Sequence, residues 1–173
     1  MKKIYIVLTC TGTILSNIVK VYTKDEFTHS SIALDKELVQ LYSFGRKNPY
    51  NPYIGCFVQE GIHIGTFKRF KNTLAGVYEL EVTDEQYDKC ARIIEDFKKN
   101  KNIYKFNILG LFLISLKYKR KKEKYFYCSE FVKYVLEEVL GEIKELPDLI
   151  RPENFKDIPN IKKIYSGLLR NYK

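Results

Sequence analysis

The chain has 173 residues, 45% of them hydrophobic, and a formal net charge of +9. Its length and apolar content predict a single globular domain spanning residues 1–173 and exclude a disordered or fibrous protein. The positive charge favours anionic surroundings such as nucleic acid, cell-wall polymer or acidic lipid, without choosing among them.

The first segment, Lys3 to Cys10, is rich in β-branched and aromatic residues and predicts a strand. Apolar residues recur at helical spacing from Ile14 to Tyr22, which predicts a short helix. Polar threonines follow the first apolar run and no small-residue cleavage site is visible, so this start does not read as a signal peptide. The longest apolar run, Ile108 to Leu116, is about half the length of a membrane span. We therefore expect a cytoplasmic protein with no transmembrane segment.

Two short strand-like runs, residues 30–34 and 38–44, predict a hairpin closed by Gly45, with His29 at its entrance. The stretch from Arg46 to Gly65 contains prolines and glycines among aromatics, and it favours an ordered excursion instead of a regular element. A further strand is expected from Val77 to Val82.

Thr83, with Gln86 in the capping-box position, predicts the start of a helix whose apolar stripe includes Cys90. A further helix is predicted to begin at Cys128 or Ser129 and to end at Gly141. Between the two helices lies a basic run, residues 117–124, in which six of eight residues are Lys or Arg. A solvated loop is the ordinary interpretation of such a run.

The four cysteines, Cys10, Cys56, Cys90 and Cys128, form no CxxC pair and are expected to be free thiols. His29 and His63 are the two histidines of the sequence, so no cluster has metal-ligand spacing and no metal or cofactor is predicted.

Of these thiols, Cys128 alone is predicted to lie at a helix N-terminus, where backbone N–H groups and the helix dipole favour a thiolate. A buried structural cysteine is the competing interpretation, and we prefer it for the other three. Nucleophilic catalysis also needs a nearby base. His29, at the start of a strand, is the first candidate for this base, and His63 is the second candidate.

The segments THSSIALD and YFYCSEFVKYVLEEVLG, in that order, resemble the permuted branch of the NlpC-type papain-like superfamily, which includes YiiX-like and lecithin:retinol acyltransferase-like proteins. The resemblance covers roughly Ile4 to Gly141. It implies an α+β fold in which an antiparallel sheet packs against a helix that bears the nucleophile at its N-terminus. It also implies a thiolate attack on an amide or ester, with Cys128 as nucleophile and His29 as base.

The third polar group of that family usually comes from the strand after the His strand. Here that strand is LVQLYSFG, and Ser43 is the nearest fit, with Tyr42 and Gln40 as alternatives. An imidazole that is not held in the right tautomer is a poorer base, so the identity of this group matters. Thr9 and Thr11 either line the same cleft or act as turn-forming hydroxyls.

Three functions remain open. The first is an amidase or peptidase acting on a cell-wall-type or isopeptide bond. The second is an acyltransferase or thioesterase acting on lipid, with the basic run 117–124 facing a membrane. The third is a non-catalytic module that binds an acidic partner through the same run. Specific nucleic-acid binding is not predicted, because no recognition motif is visible.

Overall fold

The computed structural model describes residues 1–106 and 124–173, and these form a mixed α+β fold. The strands are β1 (Lys2–Cys10), β2 (His29–Ala33), β3 (Leu41–Asn48), β4 (Asn51–Glu60), β5 (Leu74–Val82), β6 (Lys105–Phe106), β7 (Tyr125–Phe126) and β8 (Lys162–Leu168). The α-helices are α1 (Ile14–Thr23), α2 (Gly65–Arg69), α3 (Asp84–Lys99) and α4 (Cys128–Leu140). Short 3-10 turns occupy Pro152–Asp157 and Leu169–Asn171.

Six strands form one antiparallel sheet in the order β4-β3-β2-β1-β5-β8. β1 lies inside the sheet between β2 and β5, and from Ile4 onward its residues are buried. This position explains its run of consecutive apolar side chains, because both faces of the strand are covered. The predicted antiparallel sheet, built from the first strand, the His29 hairpin and the strand containing Val77, is confirmed.

The two faces of the sheet carry separate apolar layers. Helices α3 and α4 cover one face, where Ile6 and Leu8 of β1 meet residues such as Phe131. Helix α2 and the C-terminal segment cover the other face, where Val7 is packed with Phe67 and Leu169. The Thr83 capping box of α3 is present as predicted, with Gln86 N donating to Thr83 Oγ1 at 3.1 Å.

Two expectations for the middle of the chain were wrong. The stretch from Arg46 to Gly65 is not an irregular excursion, because β4 occupies ten of its residues and pairs with β3. Gly45 does not close the hairpin but lies inside β3, which continues to Asn48. Aromatic packing explains the longer strands: the ring of Phe57 in β4 stacks on Tyr42 in β3 at 6.0 Å.

The helix predicted at Cys128 or Ser129 begins at Cys128. Gly141 follows its last residue as its C-cap, with a left-handed φ of 88°. None of the helices in the described ranges has both the length and the hydropathy that crossing a bilayer requires. The apolar run 108–116 and all of the basic run except Lys124 lie outside the described residues.

Candidate active site

The N-terminus of α4 places Cys128 in the interior of the protein. Tyr127, the N-cap residue, is buried, and its hydroxyl donates to the backbone carbonyl of Ile150 at 2.9 Å. Its backbone N–H donates to Glu130 Oε2 at 3.1 Å, so the first turn of the helix is capped by its own carboxylate. Cys128 therefore starts a well-anchored helix and is only 5% exposed.

The first residue of β2 places His29 beside that thiol. His29 pairs with Thr9 in β1, and the preceding residue, Thr28, donates its backbone N–H to the Thr9 carbonyl at 2.9 Å. The ring is close enough to Cys128 that hydrogen bonding and charge on each side chain shift the pKa of the other. The structure thus brings together two residues that are 99 positions apart in the sequence.

The far side of the imidazole contacts a carboxylate from β4. His29 Nε2 lies 3.1 Å from Glu60 Oε1 and 3.3 Å from Glu60 Oε2. The hydroxyl of Ser31 donates to Glu60 Oε2 at 2.5 Å, so the carboxylate is itself held in place. Nε2 is thus the ring nitrogen that Glu60 engages, and the Ser31 hydroxyl lies 3.3 Å from the same nitrogen.

The electrostatics of this cluster favour a charged pair. Burial opposes protonation of the ring, but the charge of the Glu60 carboxylate and the hydrogen bonds that the ring makes with Cys128 and Glu60 raise the pKa of His29 to about 10. Burial likewise opposes ionisation of Glu60, but the charge on His29 and hydrogen bonds from His29 and Ser31 lower the pKa of Glu60. A protonated ring beside an ionised carboxylate is the expected state near neutral pH.

The same argument applies to the thiol. Burial by itself would raise the pKa of Cys128, but hydrogen bonding to His29 and the charge on that ring lower it. The backbone N–H of Ser30 and the hydroxyl of Ser129 act in the same direction. A lowered thiol pKa beside a raised imidazole pKa favours transfer of the proton from sulfur to nitrogen.

Ser43 does not make the contact with His29 that was predicted for the third group; among the described residues, Glu60 does. Ser43 lies in β3 on the same face of the sheet as Glu60, and its hydroxyl favours the ionised form of that carboxylate. The hydroxyl is fully buried and forms no hydrogen bond of ordinary geometry with a described residue. The space between them is tight, since a Cβ added at Gly45 would lie 3.1 Å from both Glu60 Oε1 and Ser43 Oγ.

Glu60 was missed because the sequence from Arg46 to Gly65 was interpreted as irregular. The missed signal was the aromatic and β-branched residues Tyr53, Ile54, Phe57 and Val58, a composition typical of a strand, followed by a break at Gly61. In the structure Phe57 points to the core beneath α3 and α4, whereas Glu60 pairs with Leu41 and shares the opposite face with His29.

The other residues considered as base, orienting group or nucleophile are not part of this cluster. His63 is exposed after β4 and is not among the residues that line the cleft with Cys128. Tyr42 is buried in the core layer and Gln40 is an exposed turn residue, so neither reaches the imidazole. Cys90 is buried, and burial raises its pKa to about 12. A thiol in that setting is a structural apolar group at neutral pH.

Cys128, His29 and Glu60 line a cleft that opens between β3, β4 and the segment before α1. Thr11 also lines the cleft, whereas Thr9 is fully buried and its hydroxyl lacks a partner among the described residues. The other lining residues are Ser16, Thr28, Phe44, Gly45, Arg46, Gly55, Thr66, Phe67 and Phe106. Cys128 thus borders the cleft even though little of its surface is exposed.

No protein-family model matches the chain, and no curated protein sequence does so either. Among solved structures, the chain is similar to the crystal structure of metalloprotein YiiX from Escherichia coli O157:H7 (DUF1105). The TM-score is 0.61 at 15% sequence identity, and the match covers 96% of this chain and 98% of YiiX. At 15% identity this similarity concerns the fold alone. The fold agrees with the one that the resemblance of the two quoted segments implies. Within residues 1–106 and 124–173 of this chain, no three His, Cys, Asp or Glu side chains are placed to hold a metal ion together.

Proposed function

We propose that this protein is a cysteine hydrolase that cleaves an amide or ester bond, with Cys128 as nucleophile, His29 as general base and acid, and Glu60 as the residue that orients the imidazole. The observation that carries the proposal is that Cys128, His29 and Glu60 line one cleft, where His29 Nε2 lies 3.1 Å from Glu60 Oε1 and the His29 ring and the Cys128 thiol shift each other's pKa. A nucleophile, a base within reach and a third group that fixes the base are the three parts that this chemistry needs.

The first step would be attack of the Cys128 thiolate on the substrate carbonyl carbon, forming a C–S bond. Negative charge then develops on the carbonyl oxygen. The backbone N–H of Cys128 at the start of α4 is free of an intrahelical acceptor and carries the positive end of the helix dipole. It is therefore our candidate for one donor of an oxyanion hole.

Collapse of the tetrahedral intermediate would break the bond to the leaving group, which takes its proton from the His29 imidazolium. A water molecule would then attack the thioester, with neutral His29 accepting one proton. Release of the carboxylic acid restores the thiolate and the imidazolium, so one water is consumed for each bond cleaved. An acyltransferase would use the same acyl-enzyme and differ only in replacing water by another acceptor.

The order of the parts along the chain supports a permuted papain-like arrangement. The His-bearing strand β2 precedes the Cys-bearing helix α4, as in the family that the two quoted segments resemble. Similarity to the YiiX fold is consistent with that arrangement. We propose the amidase or peptidase activity first, and lipid-directed acyl transfer as the alternative within the same chemistry.

The test is labelling with thiol-reactive acyl and peptidyl probes, followed by mass-spectrometric location of the modified residue and turnover of the matching amides and esters. Cys128→Ala should abolish both signals, and His29→Gln should lower the acylation rate by about a hundredfold or more. Cys10→Ala is the matched control, since it removes another buried thiol outside the proposed machinery. If probes and substrates react as fast with Cys128→Ala as with the wild type, the protein is not a Cys128 hydrolase, and a binding module becomes the better hypothesis.

A further inference from the structure

A cationic side chain lines the cleft that also contains the proposed nucleophile. Arg46, near the end of β3, lines the same cleft as Cys128 and His29 and is partly buried. Its Nη2 donates to Thr13 Oγ1 at 2.7 Å, and its guanidinium lies 5.5 Å from the centre of the Phe70 ring. The first contact uses one N–H donor of the guanidinium, and the second covers the guanidinium with an aromatic ring. Several of its other N–H donors have no acceptor among the described residues.

Arg46 has no acidic partner in the described parts of the chain, where ion pairs involve other residues. Burial lowers its pKa, and the nearby charge of Arg69 lowers it further. The neighbouring charge that lowers the pKa of Arg46 is thus positive, like that of Arg46 itself. The negative charge of the Glu60 carboxylate does not offset this effect. Partial burial of a cation without a counterion is costly, so this arrangement needs a reason.

The second guanidinium lies on the same aromatic ring. Arg69, the last residue of α2, is 5.3 Å from the centre of Phe70 and 3.7 Å from the centre of the Tyr50 ring. Two like charges are therefore held together on Phe70 by cation–π contacts. The hairpin between β3 and β4 and the end of α2 build this pair from separate parts of the sequence.

We propose that Arg46, assisted by Arg69, forms an anion-binding subsite that holds a carboxylate or phosphate group of the substrate next to the bond being cleaved. The inference rests on the proposed function only in assigning the anion to a substrate. A guanidinium binds either group through paired N–H donors, which is why arginine recurs at such subsites. The substrate class is then an acyl or peptidyl compound with an anionic group near the scissile carbonyl.

The test uses maleimides whose alkyl arms, of graded length, end in a carboxylate, a phosphonate or a neutral carboxamide. We measure the rate of Cys128 modification by each. At the arm length that reaches Arg46, one of the anionic probes should react about tenfold faster than its carboxamide partner, and Arg46→Gln should remove this preference. Lys47→Gln is the matched control, because it removes the same charge from an exposed neighbouring residue.

The three kinds of probe, with a carboxylate, a phosphonate or a carboxamide end group, distinguish the possible results. A preference for the carboxylate or for the phosphonate that depends on Arg46 supports the subsite and identifies its ligand. Equal preference in wild type and Arg46→Gln overturns it, even when Cys128 reacts as proposed. Modification by the carboxamide probe tests the nucleophile separately.

A second measurement does not depend on the thiol. In a Cys128→Ala background, succinate or inorganic phosphate should raise the Tm, and Arg46→Gln should abolish that rise while Lys47→Gln retains it. Absence of any rise with both anions, together with no anionic preference in labelling, overturns the proposal. A merely structural Arg46 would change the Tm of the unliganded protein without changing either anion effect.

Discussion

The hydroxyls of Ser30 and Ser129 are joined by a hydrogen bond of 3.1 Å between two fully buried residues. Ser30 follows His29 in β2, and Ser129 follows Cys128 in α4. The bond therefore ties the strand that carries the proposed base to the helix that carries the proposed nucleophile. Because both hydroxyls are cut off from water, the Ser30 hydroxyl depends on Ser129 as its partner among the described residues, whereas the Ser129 hydroxyl also lies 4.0 Å from Cys128 Sγ.

We expect Ser129→Ala to lower the free energy of unfolding by about 1–2 kcal/mol, because it leaves the Ser30 hydroxyl unpaired in the core. It should also slow alkylation of Cys128, since the Ser129 hydroxyl helps to lower the pKa of that thiol. Denaturant titration and timed labelling measure the two effects. Ser166→Ala, at an exposed position in β8, is the control. A double-mutant cycle with Ser30→Ala that shows no coupling would contradict the tie.

The pH profile of alkylation is expected to set Cys128 apart from the other thiols. Its pKa is lowered, so its reaction with iodoacetamide should persist below about pH 8.5, the pKa of an ordinary thiol. Cys90, whose pKa is raised to about 12, should stay unmodified in the folded protein. Peptide mapping of protein labelled at a series of pH values measures both. Earlier modification of Cys10 or Cys56 would count against the assignment.

Glu60→Gln should move that profile to higher pH. The carboxylate raises the pKa of His29, so its removal makes the imidazolium easier to deprotonate. With less positive charge beside the sulfur, the pKa of Cys128 rises, and we expect the midpoint of the profile to increase by about one unit or more. An unchanged midpoint in a folded Glu60→Gln variant would show that Glu60 does not act on the thiol through His29.

Ser43→Ala distinguishes the group predicted from sequence from the one found at the site. The Ser43 hydroxyl makes no ordinary hydrogen bond with a described residue, so its removal should change the free energy of unfolding by less than about 1 kcal/mol. The midpoint of Cys128 alkylation should shift far less than in Glu60→Gln. If both variants shift it equally, Ser43 takes part in orienting the imidazole. Parallel labelling of the two variants makes this comparison.

Local sequence patterns were sufficient for the elements whose formation depends on short-range signals. The capping box at Thr83 and the apolar stripe through Cys90 predicted α3, and the helix beginning at Cys128 was predicted from the same kinds of signal. The proximity of Cys128 and His29 was not visible in such patterns, since no local interaction joins residues so far apart. It followed from the resemblance of two segments to a family with that arrangement.

Glu60 illustrates why the rest could not be predicted. The prolines and glycines between Arg46 and Gly65 are typical of loops, yet Pro52 and Gly55 lie inside β4. What overrides their local preference is tertiary: the Phe106 ring lies so close to Gly55 that a Cβ added there would be 2.5 Å from it. Gly55, which the sequence pattern would interpret as the end of a strand, is required in β4 because only a residue without a Cβ leaves room for the Phe106 ring.

The position of β1 in the middle of the sheet bears on the order in which a newly made chain acquires its chemistry. In the sequence given, β1 needs β2 on one side and β5 on the other, so every strand that holds the His29–Glu60 pair in the sheet is encoded before Asp84. Cys128 lies further along the chain, so the thiol gains its imidazole neighbour only when α4 packs on the sheet. Until α4 packs on the sheet, its thiol has the acidity of any unfolded cysteine, so the nascent chain carries no activated nucleophile.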